Sequence, residues 1–360
     1  MCVPWTDAEY NRAGLKQASN QRIAVVCSAR STGTKAEGTT NRLLRAARDV
    51  QAGSWNFANV VQLLRTDHLD AGKSAVTSAG ATLESGGPQE ATILENYESE
   101  VNAVCDHLLK VLESALFLKD VTSQTMDMVM SVGEKLSCLY MTALLQSRGV
   151  KAVYVDLAEV IDPLSGLGAK GLNEAFYRDL ARLFAERVLE LAGDEGCVPV
   201  VTGYFGKVPG GLLDQIGRGY TDLCAALLAV GLPNARELQI WKEVDGIFTA
   251  DPRKVPTARL LSSVTPSEAA ELTFYGSEVI HPFTMDQVIK AGIPVRIKNV
   301  MNPRNAGTVI LPDERIDVGN KRPGLFRNRS VSNLLGQPGA RGPKRYVPVP
   351  PSPSPTHATY

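Results

Sequence analysis

Between Glu237 and Pro256 the chain reads ELQIWKEVDGIFTADPRKVP, an apolar run (Leu238, Ile240, Trp241) that empties into a loop holding Lys242, Glu243, Asp245, Gly246, Asp251 and Arg253. A buried strand that delivers charge and glycine into a loop is how open α/β sheets build ligand sites at their strand ends. Both signs of charge beside a flexible glycine suit a polyphosphate with its metal. In Gly217-Arg218-Gly219-Tyr220-Thr221-Asp222 a guanidinium sits among glycines where a helix opens, a place suited to an anion. Asp stands at the last glycine position, so this is no dinucleotide fingerprint; a solvated Arg beside an N-cap Asp reads equally well. Ser131-Val132-Gly133-Glu134-Lys135 sets two opposite charges into an otherwise apolar helical stretch. Buried charge needs a partner, so Glu134 at a glycine break either caps, lies on an ordinary helix surface, or functions. Gly33 to Thr40 has P-loop glycine spacing without the lysine that reaches phosphates, which leaves a flexible loop as the plainer reading. His281 precedes Pro282 at a helix start and reads as structural, and no His/Cys/Asp grouping has zinc spacing.

The elements that must position these residues alternate. Arg22–Cys27, Lys151–Asp156, Val198–Thr202 and Pro294–Val300 are short β-branched runs read as strands. Helical spacing covers Asn41–Val50, Phe57–Leu118 with an interruption near Ser85–Pro88, and Met126–Gln146 with a break or kink at Ser131–Gly133. Thr221 or Asp222 is placed to cap a helix over Leu223–Val230. Thr265-Pro266-Ser267-Glu268 has capping-box spacing, and Pro282–Lys290 is a further helix stopped by Gly292. Strands alternating with helices predict an α/β fold with a mostly parallel sheet covered on both faces.

The 360 residues are 44% hydrophobic, enough for a full core. Net charge is zero, but seven of the Lys/Arg and no Asp/Glu lie from Val318 onward, so residues 1–317 carry a net −7. An acidic body does not suit a phosphate backbone, and no nucleic acid partner is expected. Six scattered cysteines without a CxxC pair read as buried thiols of a reducing compartment. No apolar run approaches about 18 residues and the N-terminus lacks a signal-peptide core, so a cytoplasmic protein without a membrane partner is expected. Residues 1–21 read as an irregular lead-in, 22–313 as the folded domain and 314–360 as a basic Pro/Gly/Ser-rich disordered tail.

Taken together, ELQIWKEVDGIFTADPRKVP, GRGYTD (Gly217–Asp222) and TFYGSEVIHP (Thr273–Pro282) closely resemble the aspartate kinase family, fungal type, over about Ile23 to Leu311. The resemblance implies the amino-acid-kinase, carbamate-kinase-like fold, a three-layer α/β/α sandwich. It implies transfer of the γ-phosphoryl of ATP, with Mg²⁺ carried by the nucleotide, to the side-chain carboxylate of L-aspartate, the first step of the aspartate-derived amino-acid pathway. By the same resemblance Ser28, Ala29 and Thr40 help hold the aspartate, Glu134 contacts its ammonium, Arg218 grips its carboxylate and Asp222 lies close to the amino group. The nucleotide falls to Gly203 in a glycine-rich loop and to Lys242, Glu243, Phe248, Asp251 and Arg253, with Glu278 nearby; Phe248 stands where many relatives carry Tyr. The family's KFGGTS strand has no match in Met1–Gln21, where Lys16 lacks following glycines. Loss of one preorganised donor costs roughly a hundredfold to a thousandfold in turnover, so weak or absent activity is expected. After Pro312 nothing resembles the regulatory ACT-type domains, and feedback control by threonine is expected to be missing from this chain. A homo-oligomer stays open. Glutamate or acetylglutamate as acceptor, and a catalytically dead ligand-binding partner, are the alternative readings.

Overall fold

A computed structural model describes residues 1–5, 22–31, 37–78, 87–161, 167–168, 171–193, 196–206, 208–217, 219–274 and 280–311. All of these fall within one structural unit, Met1–Ile316. The loop over residues 32–36, the interruption at 79–86 and the expected tail lie outside the described residues.

Eight strands form one sheet in the order β3-β4-β2-β1-β5-β7-β8-β6. They are β1 (Cys2–Trp5), β2 (Arg22–Cys27), β3 (Ala152–Val155), β4 (Val198–Thr202), β5 (Leu238–Lys242), β6 (Ser263–Val264), β7 (Val295–Asn299) and β8 (Thr308–Ile310). Four pairings are parallel (β2–β4, β3–β4, β5–β7, β6–β8). Three are antiparallel (β1–β2, β1–β5, β7–β8). The sheet is therefore mixed, with parallel pairing in the majority. The first residues hold a surprise relative to the expected irregular lead-in: Cys2–Trp5 is a strand, and it fills the slot between β2 and β5. Because β1 runs against both neighbours, β2, β4 and β5 share one direction and end on one edge.

One face of the sheet is covered by α5 (Glu174–Leu191), α7 (Tyr220–Gly231) and α9 (Pro282–Lys290). Val3, Ala24, Val26, Val201, Ile240 and Ile297 meet Phe184, Leu223 and Leu227 there in a continuous buried core. The other face is covered by α4 (Ser123–Ser147), on which α1 (Thr39–Gln51), α2 (Phe57–Thr77) and α3 (Pro88–Leu118) pack. This bundle has its own core, with Leu43, Phe57, Leu64, Leu108, Leu112 and Leu136 all at most 1% exposed. Each such side chain contributes roughly 1.5–3 kcal/mol by leaving water. The result is the three-layer α/β/α arrangement read from the alternation of elements.

Two expectations for α4 need correction. By length and composition it is apolar enough to cross a membrane, contrary to the reading that no run approaches that length; 61% of that window is buried inside the protein. Nor does it break at Gly133: the helix is continuous from Ser123 to Ser147. The glycine answers a packing demand instead. A Cβ there would lie 2.9 Å from the Cβ of Ala29 and 3.1 Å from the Thr39 methyl.

Candidate active site

The carboxyl edge of the sheet collects the ends of β2, β4 and β5. Strand β2 leads into Ser28 (exposed), Ala29 and Arg30, whose guanidinium sits 5.4 Å from the centre of the Tyr140 ring. Strand β4 leads into Gly203, whose N–H donates to the Cys27 carbonyl at 3.2 Å. A Cβ on Gly203 would meet the Thr221 methyl at 2.3 Å, so the start of α7 can approach β4 only over a glycine. The Thr202 hydroxyl fixes the turn, accepting from the Leu157 N–H and donating to the Tyr204 carbonyl.

Glu134 lies at the centre of this edge, on the face of α4 that meets β4 and α7. It is 2% exposed, and its Oε1 accepts from the Thr221 hydroxyl at 2.5 Å. Among the described residues its Oε2 has no hydrogen-bond partner; the Tyr204 backbone and the Tyr220 hydroxyl lie near the carboxyl without a formed bond to that oxygen. Burial drives its pKa up to about 8, against the opposing influence of the Thr221 hydroxyl, the Tyr204 backbone and the Tyr220 hydroxyl. A buried carboxylate with one idle oxygen fits a cationic ligand group, because an ammonium would supply the missing partner and return the carboxyl to its ionised form.

The start of α7 differs from the sequence expectation. The helix begins at Tyr220 behind Gly219 (φ +96°), with no side-chain cap. Thr221 and Asp222 look like N-caps, but tertiary partners take their side chains: Thr221 donates to Glu134 and Asp222 accepts from Lys242 Nζ at 3.1 Å. Among the described residues no side chain caps the first turn of α7, which makes that turn, beside the Lys242 ammonium, a favourable place for an anion. Lys242 and Asp222, assigned by resemblance to different ligands, form one partly buried ion pair.

The remaining expected residues divide. Thr40 is exposed, while its neighbour Thr39 is buried against α4. Glu243 is exposed, and Phe248 is half-buried and bridges Leu260 through its backbone. Asp251 accepts from the N–H and Nε of Arg253, which holds its carboxyl below the usual range. Asp245 ties this loop to the end of β7 by accepting from the amides of Asn299 and Asn302. Arg218 and Glu278 lie outside the described residues. His281 caps α9, its Nδ1 accepting from the Phe283 N–H, the structural role read for it. Among the described residues no three His, Cys, Asp or Glu side chains converge on a metal position.

Sequence reasoning missed Asp127. It is 3% exposed, and its two oxygens accept from the backbone N–H groups of Leu212 (2.5 Å) and Leu213 (3.2 Å). Those residues open the short helix α6 (Leu212–Gln215), whose chain runs on to Gly219 and Thr221. Asp127 and Glu134 are seven residues apart, two turns on one face of α4, and that spacing was the available signal. Together they hold the segment from Leu212 to Thr221 at two points.

Residues 11–299 match the amino acid kinase family, and the chain belongs to that family. It is 50% identical over 329 residues to an aspartokinase of Candida albicans, covering 88% of this chain and 57% of that protein. An aspartokinase of Saccharomyces cerevisiae is 51% identical over 305 residues, covering 84% of this chain and 55% of that protein. The chain thus spans a little over half the length of these relatives. Among solved structures, Escherichia coli aspartokinase III in complex with aspartate and ADP matches with a TM-score of 0.56 at 25% identity, over 80% of this chain and 57% of that one.

Proposed function

We propose that the chain carries the catalytic site of an aspartate kinase, moving the γ-phosphoryl of ATP to the side-chain carboxylate of L-aspartate. The observation that carries this reading is Glu134, buried beside the α7 N-terminus with one oxygen unpartnered, which suits the α-ammonium of a free amino acid. The aspartokinase relatives and the aspartate–ADP complex of the E. coli enzyme support the choice of acceptor and nucleotide.

The acceptor carboxylate is ionised at neutral pH, so the site needs no general base. It must align two anions and offset their repulsion. In this reading Glu134 orients the amino acid through its ammonium and Arg218 holds its α-carboxylate, with Ser28, Ala29 and Thr40 along the rim. Lys242 and the first turn of α7 face the phosphates, and Phe248 offers a flat surface to the nucleotide. Glu243, Asp251, Arg253 and Glu278 complete the nucleotide side. Mg²⁺ arrives on the ATP phosphates and supplies further positive charge when bound. We place the protein in the cytoplasm and leave self-association to direct measurement.

The test is hydroxylamine trapping with ATP and Mg²⁺, comparing L-aspartate, L-glutamate and N-acetylglutamate. Aspartyl hydroxamate formed from L-aspartate alone, even at low turnover, and lost in Glu134→Gln, is the expected result. Product from another acceptor, or from none with the folded protein, overturns it.

A further inference from the structure

Two thiols, Cys27 and Cys138, lie near the Glu134 carboxylate, and the phosphoryl-transfer reading gives them no task. The side chains of β2 alternate, so Ala24 and Val26 enter the core under α7 while Cys27 turns toward α4. There Cys27 packs into the patch formed by Cys138, Ala152 and Val200. The approach of Gly133 to Ala29 fixes the register of this contact. Cys138 stands one helical turn beyond Glu134 on the same face of α4, and it is on this face that Cys27 packs against it. Cys138 is fully buried and Cys27 half-buried. Both are free thiols.

We propose that Cys27 and Cys138 are a peroxide-oxidisable pair whose disulfide locks the end of β2 to α4 and shuts the adjacent site. Cys27 is the nucleophile and Cys138 the resolving thiol. The Cys138 thiol donates a hydrogen bond that holds Cys27 below its usual range, whereas burial raises Cys138 well above it. The Cys27 sulfur attacks hydrogen peroxide, breaking the O–O bond and giving a sulfenic acid and water. The Cys138 sulfur then displaces the sulfenic oxygen, which leaves as a second water with the Cys138 proton. Two thiols and one peroxide thus become one disulfide and two waters. The bond requires the two β-carbons to close to about 3.8 Å. That draws in the strand end carrying Ser28 and Ala29 and the helix turn carrying Glu134. Formation of the bond stands by itself; its effect on turnover rests on the kinase reading above.

The full chain is treated with hydrogen peroxide, alkylated, and peptide-mapped without reduction. The expected result is a Cys27 peptide joined to a Cys138 peptide, with hydroxamate production falling at least tenfold in parallel and both changes reversed by dithiothreitol. Cys138→Ala should retain basal turnover, form no link and accumulate a Cys27 sulfenic acid that dimedone captures. Cys27→Ala should resist peroxide. A link from Cys27 to Cys2, which neighbours it from β1, overturns the pairing, as does full alkylation of Cys27 and Cys138 after peroxide. A fully linked protein with unchanged turnover overturns the switch. The peptide map needs no turnover, so a chain inactive before oxidation fails the kinase reading alone.

Discussion

In the proposed reading, Glu134 sets ammonium binding against stability in one side chain. Its carboxyl is raised from 4.5 to about 8 in the folded protein, so between those values the folded state holds a proton that the unfolded state has released. Stability from this group is therefore present below about pH 4.5 and is lost progressively as pH rises to about 8. Binding an ammonium runs the other way, because it requires the ionised carboxylate. The KM for the amino acid should fall with rising pH by up to tenfold per unit and level off near pH 8, read from steady-state kinetics at saturating ATP. Glu134→Gln should abolish that slope, bind the amino acid poorly, and unfold at a higher temperature than the parent at pH 8.5. A parent enzyme with a flat profile would show that Glu134 does not meet the ammonium. The burial of Glu134 was half legible in the sequence: a charge inside an apolar helix demands a partner, but the residues alone left capping or an ordinary helix surface open, and a ligand role followed only from the family resemblance. The Lys242–Asp222 pair was not legible. Its members are 20 residues apart on a strand and a helix, and only the strand order brings them together.

Helix α4 is the element that assembles the candidate site. It gives Glu134 to Thr221, Asp127 to the start of α6, and the bare Gly133 to Ala29 and Thr39. Gly133→Ala sets two effects against each other. Helix propensity gains about 1 kcal/mol. Overpacking costs roughly 1–3 kcal/mol, and the obstructing Ala29 methyl is fixed to its backbone and cannot rotate away. The net expectation is a loss of about 1 kcal/mol in urea unfolding, with a raised amino-acid KM. Asp127→Asn keeps one acceptor oxygen and frees one of the two N–H groups. That change should raise the amino-acid KM about tenfold, in line with one lost charge-assisted bond, while the ATP KM stays within twofold. Equal changes in both KM values would mark Asp127 as a general stability residue. At this scale the sequence was legible wherever partners are local. The Thr265–Glu268 capping box forms with both of its hydrogen bonds. The α7 cap and the α4 break were misread, because both depend on neighbours distant in sequence.

Strand β1 joins the two halves of the molecule. On one side lie β3, β4 and β2 with the α4 bundle, and on the other β5, β7, β8 and β6. The sequence concealed this: a four-residue strand is too short for its alternation to stand out, and Pro4 argues against an interior strand. The sheet tolerates Pro4 because, among the described residues, β1 meets β5 only at Cys2, whereas it pairs with β2 from Cys2 to Trp5. Val3 is the anchor, fully buried in the core beneath α7 with Ala24, Val26 and Leu238. Val3→Asp would place a carboxylate there without a partner, at a cost of at least about 3 kcal/mol even if the group is protonated. Val3→Ile keeps the apolar contact and should cost less than about 1.5 kcal/mol. In the parent protein, far-UV circular dichroism and tryptophan fluorescence should report one coincident urea transition, since Trp55 lies at the start of the bundle and Trp241 on β5. For Val3→Asp the transitions should move to lower urea and separate, as each half loses the strand that couples it to the other. Coincident transitions at the parent midpoint would instead mean that the halves hold together through α4 and α7 alone, leaving β1 a passenger on the sheet.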